Sequence, residues 1–236
     1  MSVLVYIESE NNKFKKSSYE ALSYGKALSE KMGVKVSGLV INCSDAESLK
    51  AYGPDKILKI DSQDLNEFSS KKYAHAIADV IKSENVNVVV LSSTPDSKYL
   101  GAHLSGITDS SFVSNVVELP ESINPFTVKR TCFTNKAFSL TELISDTKII
   151  SITSNSYGLI ENSNDSKTEE IDIKSIDSDQ RILNIEKESG SVTIADAEIV
   201  VSAGRGLKGP ENWEMIETLA ETLGAATACS KPVSDM

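Results

Sequence analysis

The 236-residue sequence predicts an α/β fold: a Rossmann-like parallel-sheet N-terminal domain followed by the start of a second parallel α/β unit. Three features carry this. Short β-branched runs alternate with helical patterns through the first half of the chain. One of those runs, Val86 to Leu91, is nearly continuously apolar, as a strand buried on both faces must be. A second alternation then begins near Ala197, after a stretch of different character.

Val3 to Ile7 reads as the first strand. From Ser17 to Met32, Ala21, Leu22, Gly25, Leu28 and Met32 recur at helical spacing, and Gly33 supplies the stop. Val34 to Ile41 is the next strand, Asp45 to Tyr52 a short helix closed by Gly53-Pro54, and Lys56 to Ile60 a third strand. Phe68 to Ser83 is helical, with Tyr73, Ile77, Val80 and Ile81 on one face. The order β-α-β-α-β-α-β places helices on both faces of a parallel sheet. After Leu119 the pattern changes: Phe126 to Phe133, Ala137 to Ile144 and Lys148 to Thr153 read as strands with little helix between them. Residues 161–168 are polar and loop-like, while Ile171 to Ile173 and Ile182 to Ile185 read as edge strands. The second alternation runs from a strand over Glu198 to Ser202, through a glycine turn and a helix to Leu223, to a strand from Ala225. The expected domains are therefore residues 1–192 and 193–236. The second is only about one β-α-β unit long, too little to bury both faces of its sheet, so it is expected to be the beginning of a larger domain.

A hydrophobic fraction of 40% and a charged fraction of 25% are ordinary for a globular protein. The net charge of −10 argues against nucleic acid as a partner, because phosphate recognition needs clustered Lys and Arg. The opening apolar run is too short for a signal peptide or a membrane span, and no Arg-rich transit segment precedes it, so a bacterial-like cytoplasmic location is expected. Cys43, Cys132 and Cys229 are far apart and lack C-x-x-C spacing, which fits structural thiols in a reducing compartment rather than disulfides or zinc.

The most informative stretch is Gly204-Arg205-Gly206-Leu207-Lys208-Gly209, a G-x-G-x-x-G match between a strand and a helix. Glycines let a backbone turn tightly and approach a ligand, and a helix start offers free N–H groups to an anion. Pro210 suits the first helical position, and Trp213, Ile216, Ala220 and Leu223 are expected to form the buried face. Two readings stand at this point: a nucleotide site, or a strand-to-helix turn that binds nothing. At the end of the next strand a dinucleotide fold keeps an acidic residue for the ribose; here the sequence is Cys229-Ser230-Lys231-Pro232. A hydroxyl and a cation do not suit NAD but do suit a 2′-phosphate or a reduced flavin, while Lys231 taken alone reads equally as a solvated charge. Cys229 reads as a strand-end thiol. His75 lies off the apolar face of its helix, His103 has no second His or carboxylate cluster to make a metal site, and Arg130 is a candidate for a buried ion pair. No set of acid, base and nucleophile is present, which favours a carrier or binding protein over a hydrolase or transferase.

Residues 197–212, AEIVVSAGRGLKGPEN, closely resemble the opening of the flavin domain in electron-transfer flavoprotein alpha subunits. Residues 219–226, LAETLGAA, and 230–235, SKPVSD, keep that family's spacing, and residues 53–56 (GPDK) and 130–137 (RTCFTNKA) fit more loosely. The resemblance implies an α/β first domain, a flavodoxin-like second domain holding FAD, and a beta subunit closing the cleft as a heterodimer. It implies an electron carrier without substrate turnover of its own. Such a carrier links acyl-CoA dehydrogenases of fatty acid beta-oxidation to a quinone oxidoreductase of the respiratory chain. By position, Gly204 and Gly206 form the cofactor turn, Arg205 and Ser230 contact FAD, and Lys231 sits over the flavin ring where the family usually has Arg. The family's later FAD loops, including Val-Gly-Gln-Thr and Ser-Gly-Ala-Ile-Gln-His segments, have no counterpart before Met236. The chain is thus expected to be a fragment ending within the FAD domain and to hold FAD poorly alone. An NADP-binding reductase and a nucleotide-sensing α/β module are the competing readings.

Overall fold

The computed structural model describes residues 1–174, 182–184, 194, 197 and 199–235. The chain divides into two compact units, Met1–Arg181 and Ile182–Met236. The expected boundary near residue 193, and the start of the expected strand at Glu198, lie outside the described residues. So does the last residue of the expected edge strand Ile182 to Ile185, whose first three residues carry no regular structure.

The first unit opens with β1 (Ser2–Ile7), a small hairpin of β2 (Ser9–Glu10) and β3 (Lys13–Phe14), then α1 (Lys16–Met32). Gly33 adopts φ 66° and closes α1, and the Val34 N–H reaches back to the Ser29 carbonyl at 3.0 Å, so glycine is required there by its left-handed backbone. β4 (Lys35–Ile41) leads to a 3-10 turn, Ala46–Tyr52, where a short helix was expected, and then to β5 (Lys56–Ile60) and α2 (Ser70–Ser83). β6 (Val88–Ser92) follows. The four apolar residues expected to share a face of α2 are all buried.

Two elements carry no clear signal in the sequence: α3 (Pro95–Thr108) and β7 (Ser111–Val116). α3 buries only Leu100 and Leu104 among its large apolar residues; Ser97 and Gly101 fill the rest of its inner face, with Gly101 lying against the Phe112 ring. Small residues let the helix approach the sheet closely and at the same time erase the apolar period. Its start is well made: Thr94 accepts the Ser97 N–H at 3.1 Å and Pro95 occupies the first turn.

β8 (Ser122–Ile123), β9 (Phe126–Cys132) and β10 (Ala137–Leu143) are antiparallel, whereas β11 (Lys148–Ile152) returns to the middle of the sheet. The order is β10-β9-β7-β11-β6-β1-β4-β5-β12, and β7 through β12 in that order are all parallel. β12 is Lys167–Glu170, beginning at the end of the stretch 161–168 expected to be loop; Ile171 and Ile173, expected as an edge strand, instead fold onto the core without strand structure. The edge is polar because only its backbone is needed for pairing with β5. One apolar core lies between the sheet and α1, the other between the sheet and α2 with α3. This is the mixed α/β, mostly parallel architecture expected of a Rossmann-like domain.

Between β11 and β12 the chain crosses the outer side of α1 as an extended strap. Glu20 of α1 accepts the backbone N–H groups of Asn155, Tyr157 and Gly158 at 2.7, 2.8 and 2.9 Å. Ser23 accepts the Ile160 N–H at 3.1 Å, and Asn162 and Asn164 donate to the carbonyls of Ala51 and Lys50.

The second unit is a single right-sized β-α-β: β13 (Val200–Ala203), α4 (Glu214–Leu223) and β14 (Ala226–Cys229), with α5 (Lys231–Ser234) following. β13 and β14 are parallel, with Ala203 opposite Cys229.

Candidate functional site

The second unit has a cleft of about 520 Å3 at the C-terminal ends of its two parallel strands. Open α/β sheets bind ligands at that place. One wall is the glycine turn that follows β13, through Gly204, Arg205 and residues 207–210; Trp213 also lines it, and Cys229 and Val233 line the β14 side.

The turn is built differently from its expected form. Gly204 is extended (φ −121°), Gly206 is not in the left-handed region, and Gly209 is extended too (φ −164°). The one left-handed residue is Lys208, at φ 71°. The chain therefore does not need these glycines for its own path. Residues Arg205–Leu207 and Pro210–Asn212 form two successive 3-10 turns, tied together by the Asn212 amide donating to the Leu207 carbonyl at 2.8 Å. Pro210 thus opens a 3-10 turn, and α4 starts four residues later.

The space at the glycines is informative. A Cβ on Gly204 or Gly206 would meet no protein atom within 4 Å, whereas one on Gly209 would run into the Glu211 carboxylate. Gly204 lines the cleft and is bare there, so a ligand can reach its backbone directly; Gly206 is equally bare but does not line the cleft. Arg205 and Lys208 both line the cleft, and both are exposed. Glu211, Glu214 and Glu217 crowd the start of α4. The cationic wall is therefore the glycine turn, and the helix start is acidic, so an anionic group finds its favourable field at Arg205 and Lys208.

Ser230 is the N-cap of α5; its N–H extends the ladder to the Ala203 carbonyl at 3.0 Å and its own carbonyl receives Val233 and Ser234, leaving the hydroxyl without a hydrogen bond among the described residues. Lys231 is in the first turn of α5, its side chain 87% exposed and 3.7 Å from Asp235. Of the expected site residues, Gly204 and Arg205 line the cleft on the β13 side; Gly206 does not, and Ser230 and Lys231, which follow the lining residue Cys229 in sequence, do not line it either. Sequence reasoning missed Lys208 and Trp213 as lining residues; the left-handed φ of Lys208 has no signature in its residue type.

Several expectations are corrected. Of the expected inner face of α4, only Ala220 is buried; Trp213 and Ile216 are half-buried and Leu223 is exposed, because a two-stranded sheet covers too little of the helix. Cys229 is half-buried at its strand end, and all three cysteines are free thiols. Arg130 makes no ion pair among the described residues, and its buried Nε has no partner. His75 and His103 are exposed, and among the described residues no cluster of three His, Cys, Asp or Glu could hold a metal. Among those residues, too, no helix is long and apolar enough to cross a membrane.

Comparison with known proteins follows this division. Residues 3–178 match the family described as electron transfer flavoprotein domain, and residues 193–236 match the electron transfer flavoprotein FAD-binding domain. The chain is 27% identical over 241 residues to a Bacillus subtilis protein named electron transfer flavoprotein subunit alpha, covering 99% of this chain and 73% of that one. A Clostridium acetobutylicum protein of the same name is 26% identical over 246 residues, covering 97% and 72%. Protein FixB of Clostridium saccharobutylicum is 23% identical over 238 residues, covering 97% and 71%.

Proposed function

Because the chain belongs to the electron transfer flavoprotein family, as an alpha subunit, we propose that it is an FAD-dependent electron carrier without substrate turnover of its own. The family match over residues 193–236 supports FAD as the cofactor, with part of its site in this chain. The observation that carries the residue-level reading is the bare backbone at Gly204, lining a cleft whose wall also carries Arg205 and Lys208.

In this reading the domains are residues 1–192 and the FAD-binding stretch 193–236. The Gly204 and Gly206 backbone approaches the cofactor, Arg205 supplies positive charge to it, and the free Ser230 hydroxyl is available to hydrogen-bond it. Lys231 reaches the flavin by swinging away from Asp235. When bound, FAD supplies the electron-accepting ring; the chain's residues bind, orient and set the charge around it. A beta subunit as heterodimeric partner, electron donors of the acyl-CoA dehydrogenase type serving fatty acid beta-oxidation, a quinone oxidoreductase as acceptor, and a cytoplasmic location complete the proposal. The competing NADP reading is less supported, since it draws only on Ser230 and Lys231, neither of which lines the cleft.

The test is a fluorescence-anisotropy titration of FAD with the chain. Weak but saturable binding is expected, because ligand sites gain affinity from enclosure and this cleft is open. Gly204→Val should abolish it while leaving the melting temperature unchanged. Equal binding by both proteins, or a preference for NADP, would remove the glycine turn as the flavin site.

A further inference from the structure

The first unit has a crevice of the kind in which doubly wound sheets hold ligands, and it is filled from within. β1 pairs with β4 on one side and β6 on the other, while the chain runs β1, β4, β5 before returning to β6. The order reverses between β1 and β6, so ligands of such sheets bind outside the carboxyl ends of these two strands. At that point stands Glu8, the residue after β1, only 5% exposed. One carboxylate oxygen accepts from the Thr94 hydroxyl at 2.6 Å and from the Ser97 hydroxyl; the other lies 3.6 Å from the Lys15 ammonium. Thr94 and Ser97 are the N-cap and first-turn residues of α3, a 14-residue helix.

We infer that Glu8 is a built-in anion: its carboxylate occupies, at the start of α3, the place where the phosphate or carboxylate of an external ligand would otherwise bind. A carboxylate buried to this degree is tolerated only when its oxygens are paired. Here the pairing comes from the groups a bound anion would use: two hydroxyls, one cation and the positive end of a helix. Glu8 is also held from behind, its N–H donating to the Ser18 hydroxyl at 2.8 Å while that hydroxyl donates to its carbonyl, so the carboxylate is preset rather than recruited. The first unit consequently keeps the scaffold of a ligand-binding α/β domain with its crevice closed to small anions. This inference does not depend on the assignment of the second unit.

The experiment is anion rescue in the full chain. Glu8→Ala removes the internal anion and leaves Thr94, Ser97 and Lys15 in place. Formate at rising concentration, against chloride of equal ionic strength, should raise its melting temperature in proportion to the logarithm of formate concentration once the site begins to fill. Wild type, whose second unit is identical, controls for binding there and should not respond. Glu8→Gln, which fills the space, should not respond either. A gain shared by wild type, a gain as large in Glu8→Gln, or no gain in Glu8→Ala overturns the inference. If Glu8→Ala does not accumulate folded, it is refolded in formate and in chloride: more soluble, cooperatively melting protein in formate supports the inference, and equal recovery overturns it.

Discussion

Glu20 accepts the Gly158 N–H at 2.9 Å, and through this and two further backbone bonds one carboxylate on α1 holds the strap that carries the chain from the middle of the sheet to its far edge. Gly158, at φ 92°, and Asn155, at φ 59°, help turn three of four neighbouring N–H groups toward the same anion, while the Ser156 N–H bonds the Thr153 carbonyl.

Replacing that carboxylate should loosen the strap as a whole. Each hydrogen bond to a charged group contributes about 1.5–3 kcal/mol, and Glu20→Ala leaves three donors unpaired. A destabilisation of the first unit of about 3–5 kcal/mol is expected, less than the sum of the three bonds because the released strap amides can turn to water. Hydrogen exchange is the sharper readout. Amides of Asn155, Tyr157 and Gly158 should lose protection first, with β1 and β6 unaffected; uniform loss would assign Glu20 to the core instead.

Two glycines should answer substitution in opposite ways. A Cβ on Gly25 would run into the Val5 methyl in the middle of α1's contact with the sheet, so Gly25→Ala overpacks the core at a cost of about 1–3 kcal/mol. Gly206→Ala meets no protein atom and should leave stability within about 0.5 kcal/mol of wild type while weakening flavin binding. Parallel thermal and flavin titrations of the two variants check this.

Alkaline unfolding should begin late. Burial, with a smaller contribution from Asp96, pushes the Tyr73 phenol up to about 12, and its hydroxyl donates to the Leu65 carbonyl at 2.8 Å. Burial first, then Tyr73 and Glu8, also raises Tyr6 well above its ordinary value. A raised folded pKa means the folded state holds the proton more tightly. The stabilisation is complete below about pH 10 and is lost as pH rises through 12. Tyr73→Phe should reduce the pH dependence between 10 and 12, measured by tyrosinate absorbance alongside circular dichroism.

Lys231 is tested in the flavin-loaded protein with its proposed beta subunit. A cation near the ring stabilises the reduced flavin, which carries negative charge, more than the neutral oxidised form. Lys231→Ala should lower the reduction potential, and Lys231→Arg should restore or exceed it, since guanidinium is planar and stacks. Asp235→Ala, freeing Lys231 from its neighbour, should raise it. An unchanged potential in Lys231→Ala would place this side chain in solvent, where screening removes its effect.

The alternation of strands and helices was legible through β6 because each element there is long, apolar on a regular period, and closed by a turn residue such as Gly33. α3 escaped notice because closeness to the sheet is achieved with Ser97 and Gly101, which have no hydrophobic signature. β12 escaped for a related reason: Lys167 to Glu170 pair through their backbone and leave every side chain in water. The central placement of β11 is a property of topology, and its Ile-rich sequence only says that it is buried. In the cleft, the glycine pattern located the turn correctly but for a different physical reason. Backbone freedom was expected at Gly204 and Gly206, yet the strained conformation falls to Lys208 while the glycines leave open space. Glu8 and Glu20 were both passed over, since a buried carboxylate looks like any surface acid until its donors, which are distant in sequence, are in place.

The insertion of β11 between β6 and β7 has a consequence for synthesis. β6 ends at Ser92 and β7 at Val116, but the strand that joins them begins at Lys148. A nascent chain emerging from the ribosome therefore presents two open strand edges, those of β6 and β7, for at least the thirty-odd residues that separate Val116 from Lys148. At about 5–20 residues per second that exposure lasts some seconds. Unpaired edges invite pairing with other chains. The window in which this protein is most prone to misassembly is set by the order in which its sheet is delivered, and chaperone engagement is expected to concentrate there.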